Sequence, residues 1–378
     1  DGAFAWCSSL MSVTIPNSVT NVGSETFSDC ISLTNVTIPD SVTIIGGMAF
    51  SGCTSLTGVA IPNSVTSIGD GAFGYCHSLT SVVIPDSVIS IGSFAFRACS
   101  SLTAVTVDAA NAAYISLDGV LLDRSQTTLL QYPGGKAGAY TIPDSVTSIS
   151  DWAFSGCISL TNVTIPDSVT EIGDMAFRGC TSLTGVTIPD SVTSIGYWAF
   201  ADCTNLTYVY FEGNAPTVDF WDMGVFEGGD NATVYYLPGT TGWEATFGGR
   251  PTVMVNGPPD PLIGGIPVNG SEGWFVSEWF GVYYTDLAPW LYHSEHGFVY
   301  RDPGSSNMST YFYEDAMGAW WWTNQTLYPF IYVYNPPADN AGTDIGAEWL
   351  WYFEETKTPR TFGVVTGVYA GQALFFEP

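Results

Sequence analysis

Residues Leu33–Ser55 read LTNVTIPDSVTIIGGMAFSGCTS, and this stretch decides the fold because the chain repeats it. Each copy carries a phenylalanine followed, three residues later, by a cysteine. The phenylalanine stands at Phe4, Phe27, Phe50, Phe73, Phe96, Phe154, Phe177 and Phe200. Neighbouring copies are 23 residues apart, as Cys30 and Cys53 are, and the one longer interval separates Cys99 from Cys157. A fixed period in this range is typical of solenoid proteins.

Each copy predicts one coil of a solenoid. Leu33–Ile38 alternates apolar residues with Thr and Asn, which predicts a short strand with Val36 and Ile38 facing inward. Pro39 and Asp40 predict a turn, and Val42–Ile45 predicts a second extended segment. We expect the AFxxC stretch to form a short helical turn. So small a unit cannot bury a core alone, so successive coils stack and their strands form parallel sheets with a spacing of about 4.8 Å.

The repeat resembles the BspA-like, or Treponema-type, leucine-rich repeats, whose pattern IPxSVTxIGxxAFxxCxxLTxV it follows in copy after copy. The resemblance implies a leucine-rich-repeat solenoid of the α/β horseshoe class, mostly β with short helical turns, over residues 1–255. It extends to an irregular coil at 107–141, with the pattern Y.S.DGVL…L..YP.G, and to a closing unit at 211–255. It also implies cell-surface or secreted adhesion or protein recognition, with no catalytic residues to carry over and no particular ligand.

The charge balance argues against two classes of partner. The chain has 36 acidic and only 8 basic residues, a formal net charge of −28. A field of this sign repels nucleic acid and anionic lipid, so we expect neither nucleic-acid binding nor membrane insertion. No apolar run reaches the ~20 residues that span a bilayer. Because the sequence begins inside a repeat, we expect the N-terminus to be a cut, which leaves the export signal undetermined.

The eight cysteines occupy the same site of each coil, beside the core phenylalanine. Side chains in register on stacked coils point the same way, which suits a disulfide poorly. We therefore expect a buried ladder of free thiols rather than a disulfide framework. We also expect no metal site, since the chain has three histidines and no C-x-x-C pair.

Two surfaces of the solenoid are candidates for binding a ligand. The outward positions of the strands, such as Asn35 and Thr37, are small or polar until the last copy, which has Tyr208 and Tyr210. These tyrosines either bind a sugar or protein ligand or pack against the closing unit. The second surface is a variable position two residues before each phenylalanine, where large apolar side chains form a contact patch or stack on neighbouring coils. Its members are Gly2, Glu25, Met48, Gly71, Phe94, Trp152, Met175 and Trp198.

The turn residues form a ladder of like charges on adjacent coils. Its aspartates are Asp40, Asp86, Asp144, Asp167 and Asp190, with Asn17 and Asn63 in the same position. Turn chemistry explains this choice of residue, because Asp bonds its local backbone. Calcium is the alternative explanation, although no loop with several oxygen ligands is visible in the sequence.

The composition changes after the repeats. Residues 256–270 are rich in Pro and Gly and predict a linker, and residues 271–378 predict a small all-β module rich in Trp and Tyr. This module is similar to an aromatic-rich C-terminal module of bacterial secreted repeat proteins, and in texture to the GWxY repeats of cell-wall-binding domains. Its aromatic residues, with Trp320, Trp321 and Trp322 as the candidate site, either bind glycan or fill a thin core.

The sequence favours a binding protein over an enzyme. No nucleophile–base pair or phosphate-binding loop can be assembled, and no cofactor motif is present. His293 and His296, with Glu295 between them, are three residues apart, so on a strand they face different sides and do not predict a metal site. Three hypotheses remain: an adhesion protein that recognises a protein or glycan, a structural surface-layer or scaffold protein, and a glycan-active enzyme in the C-terminal module.

Overall fold

The structure is a computed structural model that describes residues 1–218 and 224–255 in full. Beyond them it describes only the strands between Ile266 and Phe376. The contacts divide the chain into two units, Asp1–Val253 and Met254–Pro378. The predicted boundaries at 255/256 and 270/271 stay predictions. No helix of the described residues is long and apolar enough to cross a membrane.

The first unit is a solenoid whose first column of strands forms what we call the strand face. Its strands form several short parallel sheets, in which Ser12 lies opposite Asn35 and Gly185 lies opposite Tyr208. In the third coil the strand is reduced to a single bridge between Val59 and Val82. With strands numbered in chain order, the strand face comprises β1 (Ser12–Thr14), β3 (Asn35–Thr37), β6 (Ser81–Ile84), β8 (Ala104–Val107), β12 (Gly138–Thr141), β14 (Leu160–Thr164), β16 (Gly185–Ile188), β18 (Tyr208–Phe211), β20 (Thr233–Tyr236) and β22 (Arg250–Met254).

A second column of two-residue strands lies on the other side of the Pro-Asp turn. Its alternating pattern places one residue outward and one in the core, as Glu171 and Ile172 show. The column comprises β2 (Asn21–Val22), β4 (Ile44–Ile45), β5 (Ser67–Ile68), β7 (Ser90–Ile91), β13 (Ser148–Ile149), β15 (Glu171–Ile172), β17 (Ser194–Ile195) and β19 (Thr217–Val218). The pairs are parallel and in register, but β7 and β13 do not pair with each other.

The AFxxC stretch does not form the expected helical turn in the described coils. It is a non-helical turn, which we call the turn column, with left-handed backbone at two positions of each coil: two residues before the phenylalanine and two residues after it. Met48 has φ +53° and Trp152 has φ +61°, while Gly52 and Gly156 both have φ +73°. A helix requires consecutive right-handed residues, so these two positions exclude it. The solenoid class is confirmed, with turns in place of the expected helical turns.

The core lies between these three columns and is built from the same residue of every coil. Phe50, Cys53 and Leu56 are fully buried, as are their counterparts Phe177, Cys180 and Leu183. The phenylalanine rings stack along the solenoid, with centroids 5.3 Å apart for Phe27 and Phe50. All eight cysteines are free, and all but Cys7 are buried. The prediction of a buried thiol ladder is therefore confirmed.

The irregular coil at 107–141, which we call the interrupted unit, inserts an antiparallel meander into the solenoid. It contains β9 (Tyr114–Leu117), β10 (Val120–Asp123) and β11 (Thr128–Gln131). Strand β11 pairs in parallel with β13, so it takes the place of a second-column strand. The core divides here into two clusters, one ending with Val105 and Leu121 and the other beginning with Val120 and Leu122.

The closing unit adds β21 (Thr246–Phe247), and Trp243 and Phe247 pack against Phe211 with centroid distances of 4.9 and 5.4 Å. The second unit pairs consecutive strands antiparallel in chain order. These strands are β23 (Ile266–Pro267), β24 (Trp274–Ser277), β25 (Gly281–Tyr284), β26 (Trp290–His293), β27 (Gly297–Arg301), β28 (Thr310–Glu314), β29 (Ala319–Thr323), β30 (Phe330–Tyr334), β31 (Glu348–Tyr352), β32 (Arg360–Val364) and β33 (Ala373–Phe376).

Candidate functional site

The turn column carries a ladder of backbone hydrogen bonds in which every donor points toward the next coil. Met48, Phe50 and Gly52 donate their N–H groups to Asp70, Ala72 and Gly74, each at 2.8 Å. Alternating left- and right-handed residues turn alternate N–H groups to the same side of the chain. The coils of Phe4, Phe27, Phe50, Phe73, Phe154 and Phe177 each give three N–H groups to the following coil in this way.

The recurring Ser, Thr and Cys side chains of the repeat donate hydrogen bonds to backbone carbonyls of the preceding coil. Ser41 donates its hydroxyl to Val19 O at 2.7 Å, and Thr66 donates to Thr43 O at 3.2 Å. Cys53 donates its thiol to Phe27 O at 3.2 Å. Burial raises the pKa of the Cys53 thiol to about 12, which keeps it protonated and unreactive. These side chains stabilise the stack of coils, so their recurrence has a structural reason and does not indicate a catalytic site.

Glycine recurs after the second-column strand for a packing reason. A Cβ on Gly46 would lie 2.7 Å from Ser24 N and 2.8 Å from the carbonyl carbon of Gly23 in the preceding coil. Real Cβ atoms do not approach backbone that closely, so a larger residue would push the coils apart. The glycine sets the spacing of the coils and is not a ligand-binding glycine.

The ladder breaks where the coil of Phe96 meets the coil of Phe154, a junction that we call the seam. Of the three turn-column bonds only one remains, from Ala98 N to Ser155 O at 3.3 Å. Tyr132 of the interrupted unit takes the missing place and donates its N–H to Ala153 O at 2.7 Å. Its ring also replaces a phenylalanine in the stack, 5.0 Å from Phe154. Within the described residues, the N–H groups of Phe94, Ala95 and Phe96 donate to no carbonyl.

A buried asparagine secures the interrupted unit to the preceding coil. Asn111 is 1% exposed, and its Nδ2 donates to Pro85 O at 2.7 Å and to Val88 O at 2.9 Å. Its Oδ1 accepts the N–H groups of Ala113 and Tyr114, both at 2.8 Å. All four bonding positions of the amide side chain are filled, so this residue is structural.

A cavity of about 280 Å³ opens at the seam. Its buried lining includes Phe96, Leu121, Gln131 and Ile149. Exposed residues Ser93, Asp151 and Glu171 also line it. Further lining residues are Ile91, Gly92, Phe94, Ala95, Leu130, Ser148, Ser150 and Gly173. The cavity exists because the ladder is interrupted: no next coil covers this part of the coil of Phe96.

An arginine surrounded by aromatic rings lies at the same seam. The guanidinium carbon of Arg97 is 4.7 Å from the ring centroid of Tyr75, 4.8 Å from that of Phe94 and 4.6 Å from that of Trp152. We call these four residues the Arg97 cluster. The Nε atom of Arg97 is buried without a hydrogen-bond partner, and Arg97 forms no ion pair with a described residue. The cluster joins three coils across the seam by cation–π contacts.

The strand face is exposed in its first coils, as predicted, and covered in its last ones. Asn35 and Thr37 are exposed, and Val83 is 59% exposed. Tyr208 is half-buried and its ring lies over Gly185, where a Cβ would collide with it. Tyr210 is 1% exposed, which favours the packing alternative for this residue, and burial raises its pKa to about 12. Binding of a ligand by either tyrosine stays a prediction.

The variable position before each phenylalanine has both features that its sequence left open. Phe94, Trp152, Met175 and Trp198 are half-buried, and Met48 is 39% exposed. Phe94 and Trp152 stack edge to face with centroids 5.8 Å apart, so neighbouring coils do contact each other here. Trp198 lies under Arg178, whose guanidinium carbon is 4.7 Å from its ring centroid.

Several predicted residues have no described geometry for a site. Trp320, Trp321 and Trp322 lie on β29 and His293 ends β26, but their side chains lie outside the described residues, and His296 lies there entirely. The turn aspartates such as Asp40 are exposed. Among the described residues, no group of three His, Cys, Asp or Glu residues is placed to hold a metal ion. Calcium binding by this ladder stays an open alternative.

The seam was not predicted as a site from the sequence. The longer interval between Cys99 and Cys157 signals an irregular coil. It does not signal which backbone groups lose their partners, because that depends on where Tyr132 and Gln131 lie. Arg97 gave a weak signal as a rare cation in an acidic chain, next to aromatic residues of the variable position.

Comparisons with known proteins place the solenoid among bacterial repeat proteins. Residues 1–116 and 136–232 match the family model "BspA type Leucine rich repeat region", in 6 copies. Among curated proteins none matches the sequence.

Three solved structures are similar in the repeats. A leucine-rich repeat protein from Eubacterium ventriosum is 30% identical, with a TM-score of 0.57 and coverage of 63% of this chain and 63% of that one. One from Bacteroides ovatus is 29% identical, with a TM-score of 0.44 and coverage of 62% and 57%. A leucine rich cell surface protein from Faecalibacterium prausnitzii is 25% identical, with a TM-score of 0.41 and coverage of 60% and 79%. The match thus spans less than two thirds of the first two proteins.

Proposed function

The chain belongs to the BspA-type leucine-rich repeat proteins, and from this premise we propose that it is a non-enzymatic recognition protein displayed outside the bacterial cell. The solenoid binds a protein or glycan partner, and the C-terminal module attaches the chain to the envelope or to glycan. The Arg97 cluster is the observation that carries the proposal, because it is an accessible binding feature that the repeat itself does not require.

The composition of the Arg97 cluster is that of an energetic centre of a binding surface. Trp, Tyr and Arg are the residues enriched at such centres. Tyr75 is 40% exposed, and Arg97 and Trp152 are half-buried, so the cluster is both rigid and accessible. An arginine whose faces contact rings keeps its N–H edge for a partner's carboxylate or carbonyl oxygens. In a chain of net charge −28, a cation that is held by aromatic rings and forms no ion pair with a described residue gives a defined point of attachment.

The remaining polar groups of the regular coils support binding rather than catalysis. The recurring Ser, Thr and Cys side chains bond the backbone of the preceding coil, as Ser64 does to Val42 O at 2.7 Å. A hydroxyl or thiol held in this way has no adjacent base and is no activated nucleophile. The strand face offers a flat polar surface beside the cluster's coils, suited to contact with a large partner.

Attachment through the C-terminal module is the second part of the proposal. Trp320, Trp321 and Trp322 are the residues we assign to glycan attachment, with Tyr208 a further contact of the solenoid. A purely structural surface-layer role, with assembly but no soluble partner, is the competing function.

The experiment is capture of partners from a cell-envelope fraction by the full chain, followed by measurement of the dissociation constant for the captured partner. Arg97→Ala tests the cluster, and Arg124→Ala is the control, because it removes the same charge from an exposed arginine outside the cluster. We expect Arg97→Ala to weaken binding roughly 30-fold, the effect of losing about 2 kcal/mol at a central contact. We expect Arg124→Ala to change binding by less than about 3-fold.

Two outcomes contradict the proposal. Capture of no partner by the full chain favours the structural role. Equal losses in the two arginine variants show that net charge, and not the cluster, drives binding. For the module, the triple change of Trp320, Trp321 and Trp322 to Ala in the full chain must release it from envelope glycan if the assignment is right.

A further inference from the structure

The cavity at the seam combines an apolar floor with a polar mouth. Phe96, Leu121 and Ile149 are each no more than 1% exposed and lie at its floor. Asp151, Glu171 and Ser93 are exposed and lie at its mouth. Neither the repeat nor its closing unit uses this space. The regular coils have no counterpart to it, since there the next coil covers the same backbone.

One side of the cavity supplies hydrogen-bond donors. The N–H groups of Phe94, Ala95 and Phe96 lack partners within the described residues, and all three residues line the cavity. In the regular coils the equivalents of the Phe94 and Phe96 N–H groups point toward the next coil, as those of Gly71 and Phe73 do. At the seam the same direction leads into the cavity.

The opposite side supplies acceptors. Gln131 is 3% exposed, and its Nε2 donates to Tyr132 O at 2.8 Å and to Ala153 O at 3.2 Å. These two bonds fix the side-chain amide, and its Oε1 accepts no hydrogen bond from a described residue. The Oδ1 atom of Asp151 accepts the N–H of Asp174 at 2.8 Å, and the Oδ2 atom of Asp151 remains available at the mouth. Glu171 adds a second carboxylate.

The placement of hydrogen-bond donors and acceptors around the cavity indicates which class of ligand it can bind. An anion would accept from the N–H groups of Phe94 and Phe96 but would face the carboxylates of Asp151 and Glu171. A cation would meet the N–H donors. A neutral hydroxyl-bearing molecule satisfies both sides, because each hydroxyl donates to one group and accepts from another. The apolar floor suits the C–H face of a sugar ring, and aromatic rings such as Phe94 pack well on that face.

From these contacts we infer that the seam cavity binds the terminal neutral pyranose unit of a glycan. Its volume of about 280 Å³ accommodates one sugar ring and no second one, and it lies just below the range of about 300–1,000 Å³ that is usual for ligand pockets. The inference rests on the proposed recognition function and names a ligand class for one site of the solenoid. The cavity shares Phe94 with the Arg97 cluster, whereas Arg97 itself does not line the cavity, so substitution of Arg97 separates the two sites.

The probes are the methyl glycosides of glucose, galactose, mannose and N-acetylglucosamine, titrated into the full chain and followed by calorimetry and ligand-observed NMR. Sodium acetate and glycerol serve as control ligands for an anion and for a small polyol. We expect at least one glycoside to bind saturably with a dissociation constant of about 1 mM, and acetate not to compete with it.

Two pairs of variants localise the binding. Ser93→Tyr places a ring at the mouth of the cavity, and the chain tolerates this residue at the equivalent position, since Tyr197 also lies three residues before its phenylalanine. Ser24→Tyr is the same change in a regular coil. Asp151→Asn removes one carboxylate while keeping an oxygen for the N–H of Asp174. Asp174→Asn is its control, because Asp174 accepts the N–H of Tyr197 at 2.7 Å in the same way.

We expect Ser93→Tyr to weaken glycoside binding at least 10-fold and Asp151→Asn to weaken it about 5-fold, with both controls within 2-fold of the parent chain. Circular dichroism confirms that each variant is folded, and the Asp151 pair decides the matter if Ser93→Tyr unfolds. The absence of saturable binding by every glycoside shows that the cavity holds water only and overturns the inference. Equal effects of variant and control, or competition by acetate, overturn it as well.

The test is independent of the proposed recognition function. Loss of partner capture in Arg97→Ala with intact glycoside binding would support both. If no glycoside binds while Arg97→Ala still weakens partner capture, the seam inference fails and the recognition function stands.

Discussion

Backbone N–H and C=O groups find their hydrogen-bond partners in different ways in the regular coils and in the interrupted unit. In a regular coil the next copy of the same sequence accepts the outward N–H groups of the turn column, as Ala72 O accepts Phe50 N–H at 2.8 Å. In the interrupted unit, side chains substitute for backbone: Asn111 fills four bonds and Gln131 two. The substitution is incomplete, because the N–H groups of Phe94 and Phe96 have no partner among the described residues.

The difference teaches where a repeat protein acquires a specific site. A regular stack is uniform, so a ligand that fits one coil fits its neighbours nearly as well. A break in the stack produces unpaired groups in one place only. Function in such a fold is therefore expected at irregular coils, and the cavity and the Arg97 cluster both lie at this one.

The largest expected effect is a difference in stability between removing a phenylalanine ring in a regular coil and removing one at the seam. Phe50 lies between Phe27 and Phe73, with centroids 5.3 and 5.4 Å away, whereas the only described ring that contacts Phe96 is Phe73 at 5.6 Å. We expect Phe50→Ala to lower the free energy of unfolding by about 3–5 kcal/mol. Phe96→Ala should cost clearly less, because its ring borders a cavity. Urea denaturation of the two variants checks this, and equal losses would mean that the seam is packed as tightly as a regular coil.

The next effect tests how the interrupted unit is secured. Asn111→Ala removes four hydrogen bonds in a buried place: those to Pro85 O and Val88 O and those from the N–H groups of Ala113 and Tyr114. We expect a loss of about 2–3 kcal/mol in the free energy of unfolding. Asn35→Ala, on the exposed strand face, is the control and should change stability by less than about 0.5 kcal/mol. A loss below that of one hydrogen bond in Asn111→Ala would show that water replaces the side chain and that the unit is held by its strands.

A kinetic difference is expected between thiols at the seam and in the regular coils. Cys157 lies 3.8 Å from its acceptor Tyr132 O, whereas Cys180 lies 3.2 Å from Phe154 O. Because a weaker contact favours local opening, we expect Cys157 to react with a thiol reagent several-fold faster than Cys180. Exposed Cys7 should react first. Mass spectrometry of labelled peptides measures the order, and earlier reaction of Cys180 would contradict a looser seam.

The smallest effect concerns the charge ladder of the regular coils. Burial, and then the nearby Asp167 and Asp190, raise the pKa of Glu212 above its ordinary value of 4.5. A carboxyl with a raised folded-state pKa stabilises the fold at low pH, and this contribution is lost as pH rises through the raised value. Glu212→Gln should therefore flatten the fall in stability just above pH 4.5, measured by thermal unfolding at several pH values. Exposed Glu227→Gln is the charge-matched control, and the same flattening there would point to net charge.

The sequence predicted the regular coils because each position has one environment. Cys53 and Phe50 recur at a fixed spacing, and only a stack of identical coils buries them all. The turn column was harder, since AFxxC spacing fits a helical turn as well as a pair of left-handed residues. Met48 and Trp152 adopt positive φ although neither is glycine, so composition gave no signal.

The seam and the last coils depended on contacts between distant residues. Tyr132 replaces a phenylalanine 22 residues before Phe154 rather than 23, and spacing does not reveal which ring fills the stack. Tyr210 has the same alternation as Thr37, which is exposed, yet Tyr210 is buried. Alternation assigns a residue to one side of a strand, and it does not report what else covers that side.

The one-way ladder of the turn column bears on how such a protein changes length over generations. A regular coil accepts three turn-column hydrogen bonds from one neighbour and donates three to the other. A deletion or duplication of 23 codons would therefore leave every one of these donors with an acceptor. Recombination between the similar copies could therefore shorten or lengthen the array freely. The interrupted unit has no such freedom, since Tyr132, Gln131 and Asn111 fit only the coils they now join. Natural variants should differ in coil number on either side of the seam while keeping the seam itself.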